Sequence, residues 1–204
     1  MNKVAYYYKE GLSIENIEIV RIDKHQAFNW TKKAYEKGDL EAIELYADYL
    51  TERENRVCEV DIELGIELYE KCILNGSSRA TYNLGLTYRS KQQFEKAFEL
   101  YEKANKSEDF YQELTVGLCH YYGIGVKKDK LKALELFLSI NEMYNSQYEI
   151  DEANYLIGEI YLQGEVVDQD LEKARHYLEL ADADQDHRSA QELLIIIGRT
   201  KYKL

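Results

Sequence analysis

The chain repeats itself, and that repetition sets what it can fold into. From Gly117 it reads Gly117–Leu118–Cys119–His120–Tyr121–Tyr122–Gly123–Ile124–Gly125–Val126, followed by Asp129, Lys132 and Ala133. From Gly158 it reads Gly158–Glu159–Ile160–Tyr161–Leu162–Gln163–Gly164, followed by Val167, Asp170, Lys173 and Ala174. Counted from the first glycine, Gly at +6, Val at +9, Asp at +12 and Lys-Ala at +15 and +16 agree. A unit this short cannot bury its own apolar face and must stack on a neighbour, which is the logic of a solenoid. Ala80 to Tyr88 opens another unit, whose Lys96–Ala97 comes early because its loop is short. Ala42 to Leu50 opens one more, with Leu64–Gly65 in the Lys-Ala place. The joins agree as well: Ala27 to Gly38 to Ala42 has spacings of 11 and 4, and Gly65 to Gly76 to Ala80 repeats them.

Between these marks the segments read as helices. Phe98 and Tyr101 follow Ala97, and Leu134, Phe137 and Leu138 follow Ala133, a helical rather than a strand spacing. Gly38, Gly76 and Gly123 stand where one helix ends, in places suited to a left-handed cap. Asp129 and Asp170 stand just before helical runs, where a carboxylate accepts orphan backbone N–H groups. The small residues Ala97, Ala133, Ala174, Gly85, Gly117 and Gly158 permit close helix–helix approach. Proline is absent.

The pattern Ala-x-x-x-Leu-Gly-x-x-Tyr-x-x-Gly-x-Gly-Val-x-x-Asp-x-x-Lys-Ala resembles the Sel-1-like repeat family, relatives of the tetratricopeptide repeats, over about residues 23–190. The resemblance implies an all-α fold: a right-handed α-solenoid superhelix of stacked antiparallel helix pairs, about four to five repeats plus a C-terminal capping helix. We expect one domain over 1–204. It would comprise a degenerate N-terminal repeat at 1–38, repeats at 39–76, 77–108, 109–149 and 150–189, and the cap at 190–204. The chain departs from the pattern in places. Val166 occupies the second Gly place of the last repeat, Gln112 replaces an opening Ala, and 143–150 falls in an enlarged inter-repeat loop. In the first repeat Tyr6, Tyr7, Tyr8 and Gly11 read as a degenerate helix and loop, with Asp23 to Ala27 in the Asp-x-x-Lys-Ala place. Ile14 to Ile22 alternates partly as a strand would. At the far end Leu193 to Ile197 bunch together before Arg199, Lys201 and Lys203. Five apolar residues are far short of the roughly 20 that span a bilayer, so no membrane insertion is expected.

The start of the chain lacks the apolar run of a signal peptide. Cys58, Cys72 and Cys119 are odd in number and do not recur once per repeat. Secreted members of the family carry a cysteine pair in each repeat, and that pairing is missing here. Cys72 and Cys119 fall at packing positions, so both are expected as small buried apolar residues. Cytoplasmic placement is the expectation.

Charge narrows the partners. The formal net is −12, and residues 142–189 hold thirteen Asp/Glu against three Lys/Arg. Residues 31–76 hold twelve against six. Phosphate backbones would be repelled, so no nucleic-acid partner is expected. The acidic surface is either a solvated face or an attractor for a protein with a basic surface.

In tetratricopeptide-like folds the first helix of each unit lines a concave groove, with outward positions at −6, −3, +1 and +4 from the Leu-Gly glycine. Carried over, the first unit contributes Glu41, Glu44, Asp48 and Thr51. The second contributes Arg79, Tyr82, Leu86 and Arg89. The third contributes Tyr111, Leu114, Leu118 and Tyr121, and the fourth Glu152, Tyr155, Glu159 and Leu162. The candidate partner-binding residues are Glu44, Asp48, Arg79, Tyr82, Leu86, Arg89, Tyr111, Leu118, Tyr121, Glu152, Tyr155 and Glu159. Tyrosine makes a good anchor because it offers a large contact area on few rotatable bonds. For Tyr82, Tyr121 and Tyr155, inter-repeat packing is the competing role, as it is for Tyr69, Tyr88 and Tyr101.

No catalytic, metal or cofactor site emerges. Asp182–Ala183–Asp184–Gln185–Asp186 opens like a calcium loop but has His187 in the Gly place and Leu193 in the Glu place. His25, His120, His176 and His187 lack ligand spacing, and Gly123–Ile124–Gly125 has neither the strand nor the Lys-Ser/Thr of a phosphate loop. The expectation is therefore a non-enzymatic protein–protein interaction module, a scaffold or adaptor. The alternative is an immunity or inhibitor protein that neutralises a basic toxin.

Overall fold

The computed structural model describes residues 2–15, 17–52, 57–107, 110–140 and 145–201; the side chains of 14 and 199–201 lie outside that description. Among the described residues there are eleven helices and one two-stranded hairpin. They fall into two compact units, residues 1–93 and 94–204.

In the first unit, α1 (Asn2–Glu10) and α2 (Lys24–Glu36) pair, with β1 (Leu12–Ile14) and β2 (Ile17–Val20) inserted between them as an antiparallel hairpin. The strand-like alternation near Ile17 and Ile19 is that hairpin. Next, α3 (Leu40–Thr51) pairs with α4 (Ile62–Leu74), and α5 (Ser78–Ser90) packs on α4. The second unit opens with α6 (Phe94–Asn105). It continues with the pair α7 (Glu113–Tyr122) and α8 (Lys130–Ser139), then the pair α9 (Gln147–Gln163) and α10 (Leu171–Ala181). It closes with α11 (Arg188–Lys201) against α10. In four of these pairs a backbone bond joins the end of the first helix to the start of the second, so the partners run antiparallel.

One aspartate closes each of four pairs. Asp23, Asp61, Asp129 and Asp170 are the N-caps of α2, α4, α8 and α10, and each carboxylate accepts the N–H three residues on. The same residues donate their own backbone N–H to the end of the preceding helix, at the carbonyls of Tyr8, Leu50, His120 and Tyr161, over 2.7, 3.0, 2.8 and 3.0 Å. Orphan groups at two helix ends are thereby satisfied by one residue. The loop between them is free to vary, which is how the hairpin is accommodated.

The cores are small-residue seams flanked by large ones. Ala27, Ala42, Ala47, Ala80, Ala133 and Ala174 are fully buried, and Tyr69, Phe137, Leu156 and Leu178 fill the space beside them. Burying one such leucine contributes about 1.5–3 kcal/mol. A Cβ on Gly117 would land inside the Phe137 ring, and one on Gly158 would meet Leu178 Cγ at 2.7 Å and the Ala174 carbonyl at 3.1 Å. The pair α3/α4 reverses the arrangement: Ala47 stands in the glycine place, and Gly65 stands where other pairs have Ala. A Cβ on Gly65 would run into Thr51 Cγ2 and stand 3.5 Å from the Ala47 carbonyl.

Gly38, Gly76 and Gly123 adopt left-handed φ of +79°, +87° and +76°, as expected of helix ends. In the Gly123–Ile124–Gly125 turn the second glycine is needed for space as well, since a Cβ there would overlap the Phe94 carbonyl.

Two sequence expectations need correction. Residues 147–150 are helical rather than looped, because Ser146 and Glu149 form a reciprocal capping box that starts α9 early. Tyr111 precedes α7 instead of lying on it: Gln112 is the N-cap, with its N–H held 2.7 Å from Asn105 Oδ1. Residues 143, 144 and 203 lie outside the described residues.

Overpacking Gly65 by one methyl costs about 1–3 kcal/mol, against a helix-propensity gain of about 1 kcal/mol. Gly65→Ala is therefore expected to lower the urea midpoint, and Thr51→Ser, which removes the obstructing methyl and keeps the hydroxyl, to restore it. Gly198 in α11 has nothing within 4 Å of a Cβ. There the same Gly→Ala change is expected to stabilise by about 0.5–1 kcal/mol in the same melts.

Candidate functional site

In the first unit a cleft of about 940 Å³ is lined by Tyr6 of α1, Lys24 and His25 of α2, and Leu45, Asp48 and Tyr49 of α3, with Glu52 and Arg79 at its edges. Tyr6 is exposed, whereas Leu45 and Tyr49 are half-buried, so the floor is aromatic and aliphatic and the rim charged. Leu45 and Tyr49 stand one turn apart on α3 and share a face.

Three sequence candidates meet here, and two of them, Asp48 and Arg79, line the cleft. Arg79 Nε lies 3.2 Å from Glu44 Oε1 and its Nη2 donates to Asp48 Oδ2 at 3.0 Å. Asp48 Oδ1 also accepts from the Tyr69 hydroxyl at 2.7 Å and from Asn83 Nδ2 at 2.9 Å, while Ser77 Oγ donates to Glu44 Oε2 at 2.6 Å. The two carboxylates thus share one guanidinium and are hydrogen-bonded within the unit, so they brace α3, α4 and α5, and Asp48 borders the cleft as well. Burial, and then Asp48 beside it, holds the Tyr69 hydroxyl far above its ordinary range. Elsewhere on α5, Tyr82 is half-buried, and Leu86 and Arg89 are exposed.

In the second unit the candidates divide. Tyr121 is only 5 % exposed: its ring lies in the core near Phe137 and its hydroxyl donates to Glu159 Oε2 at 2.8 Å. It is a packing residue, so the expectation of an exposed Tyr121 is corrected. Leu118 packs against the same core, and Tyr111 is half-buried ahead of α7. Glu152, Tyr155 and Glu159 share one half-buried face of α9. Sequence reasoning missed Tyr122, Tyr49 and Leu45, which occupy offsets next to those counted, and the Tyr69–Asp48 bond, which joins residues 21 apart.

Cys58, Cys72 and Cys119 are free thiols, and Cys72 and Cys119 are buried as expected. Among the described residues no group of three or more His, Cys, Asp or Glu side chains could hold a metal ion, and no helix is long and apolar enough to cross a membrane. The would-be calcium loop is used structurally: Asp182 Oδ1 accepts from the backbone N–H of His187 at 3.0 Å and from Gln191 Nε2 at 2.9 Å.

Helix pairs joined by a repeated cap define an all-α solenoid of the helical-repeat class. The chain belongs to the Sel1 repeat family, whose model matches residues 1–39, 41–77, 78–109, 116–142 and 151–181. The ERAD-associated E3 ubiquitin-protein ligase component HRD3A of Arabidopsis thaliana is 25% identical over 151 residues, covering 72% of this chain and 20% of that protein. The chain therefore spans about a fifth of that relative's length. Among solved structures, c5321, a protective antigen of uropathogenic Escherichia coli with an SLR fold, superposes with a TM-score of 0.73 at 23% identity, covering 97% of this chain and 40% of that one. A Sel1 repeat protein from Oxalobacter formigenes gives 0.67 at 23% identity, covering 94% and 53%. These likenesses show the fold.

Burial, then the charges of Glu44 and Asp48, push the Cys72 thiol up to about 11. At pH 8 its thiolate fraction is then on the order of one in a thousand. Native Cys72 is expected to resist iodoacetamide at that pH and to react fully in denaturant, read by mass spectrometry of the digested protein.

Proposed function

We propose that this chain is a non-enzymatic protein-interaction scaffold whose partner is held by side chains on the first helices of its repeats. Sel1 repeat proteins are generally protein–protein interaction modules. The observation that carries the reading to this chain is the first-unit cleft of about 940 Å³, with an apolar floor, a charged rim and an exposed aromatic at its mouth. That combination suits a peptide: apolar contact supplies affinity and the charged rim supplies register and specificity. Tyr6, Leu45, Tyr49 and Arg79 are the contacts, with Tyr82, Leu86 and Arg89 extending them along α5. Three free cysteines support a reducing, cytoplasmic setting. The net charge of −12 supports a second reading, a dedicated inhibitor of a basic protein such as a toxin.

A photo-crosslinking residue at Tyr6 tests the cleft against one at Leu74, which is exposed on α4 and does not line it. In lysate of the native host, the residue-6 variant is expected to yield a discrete protein adduct and the residue-74 variant none. Equal capture from both positions, or from neither, would remove the cleft from the partner site. A single basic adduct at one-to-one stoichiometry that high salt prevents would select the inhibitor reading over the adaptor.

A further inference from the structure

The second unit carries another surface, of opposite electrostatic design to the braced acids of the first. Glu152, Tyr155 and Glu159 lie at i, i+3 and i+7 of α9 and so line one face. The Tyr121 hydroxyl ties the end of α7 to that face through Glu159. Next to it Tyr122 is 58% exposed, its ring held at 79° to that of Tyr121 with centroids 4.9 Å apart. On the other flank His187 stacks on Tyr155, centroids 5.0 Å apart, and places Nε2 3.7 Å from Glu152 Oε2. His187 Nδ1 accepts the Ala190 N–H at 3.2 Å.

Among the described residues this surface has no lysine or arginine paired to its carboxylates, Glu152 and Glu159. The nearby Lys130, 5.1 Å from the Tyr121 ring, has its ammonium taken up by Gln163 Oε1 at 2.6 Å and Glu165 Oε2 at 2.5 Å. In the first unit the comparable acids, Glu44 and Asp48, both bind Arg79. The uncompensated charge is felt locally. Burial, then Glu159 and Glu152, raise the Tyr122 hydroxyl, and burial, then Glu159, Tyr122 and Glu152, raise that of Tyr155.

Resting on the scaffold reading, we propose that the face formed by Tyr122, Glu152, Tyr155 and Glu159 receives an arginine side chain from an extended basic segment of a partner protein. Aromatic rings attract a cation to their faces, and half-buried carboxylates gain most from a partner that brings its own hydrogen bonds. A guanidinium satisfies both demands, because its plane stacks on a ring while its fork reaches carboxylate oxygens. Tyr122 supplies the open ring, Glu152 and Glu159 supply the acceptors, and Tyr155 separates the two carboxylates along the helix.

The test titrates a fluorescein-labelled peptide of alternating glycine and arginine onto the full chain, with an alternating glycine–glutamine peptide as control. Binding of the arginine peptide alone is expected, weakening between about 20 mM and about 300 mM salt. Tyr122→Ala and Glu152→Gln are each expected to weaken it about three- to tenfold with unchanged circular dichroism. Tyr122→Phe keeps the ring and is expected to bind like the parent. Neutralising the remote acids Asp168 and Glu179 is expected to leave affinity unchanged. Failure of the arginine peptide to bind, or equal losses from the remote and local substitutions, would overturn the proposal, the latter by showing diffuse attraction to an acidic protein. Should partner capture at residue 6 persist while the peptide fails, this inference falls and the scaffold reading stands.

Discussion

The residue on which the helix pairs depend is the aspartate between them. Its carboxylate accepts a free N–H in the first turn of the second helix, three residues on, and its own N–H occupies a carbonyl near the end of the first. Two helix ends that would each leave polar groups unpaired are joined by a single residue of fixed geometry. The relation between the helices is therefore independent of what lies in the loop. A nine-residue step from His120 to Asp129 and a fifteen-residue step from Tyr8 to Asp23, with a β-hairpin inside it, end in the same bond. Closure of the longer loop adds only a fraction of a kcal/mol, about 0.5, because its cost grows with the logarithm of length.

With the ends fixed, the two helices press together over their middles, and side-chain volume there has almost no slack. In α9/α10 the glycine is on the first helix and the alanine on the second; in α3/α4 the order is exchanged as Ala47 and Gly65. Each arrangement sets a glycine against a carbonyl of the partner helix, Gly158 near Ala174 and Gly65 near Ala47. Interiors packed to crystal-like density respond to a single methyl, so the exchange is one solution to a fixed volume rather than a loss of the pattern. The departure of this repeat from its relatives is a compensated swap.

This explains which features could be read along the chain. Close approach and capping are local demands on residue type, so Gly117, Gly158, Asp129 and Asp170 announced the helices and their ends. The start of α9 was equally local, in Ser146 and Glu149, but lay inside a stretch whose length suggested a loop. Surface assignment was harder, because fixed offsets treat every first helix as the same cylinder. That failed at Tyr111, where Asn105 holds Gln112 outside the helix, and at Tyr121, whose ring turns inward from the last turn of α7. The Asp48–Tyr69–Arg79 cluster had no signature at all, since it joins three helices through space.

Charge shows most clearly why counting residues falls short of locating a site. Both acidic stretches contribute to the same net −12, and along the sequence they look alike. Folding separates them. Where Asp48 faces Arg79, Tyr69 and Asn83, it is engaged in holding α3, α4 and α5, and removing Arg79 would leave a half-buried carboxylate without its countercharge. Where Glu152 and Glu159 face tyrosines, no lysine or arginine among the described residues pairs with them, and after burial their charge helps raise the Tyr122 and Tyr155 hydroxyls. The first arrangement braces its own unit, with Asp48 already bonded to Arg79, Tyr69 and Asn83. The second is tolerated in the free protein because both acids keep contact with water, and an arriving guanidinium would convert that tolerance into affinity. The acids available to a visiting cation are thus the ones that folding leaves without a lysine or arginine among the described residues, a subset of those the composition counts.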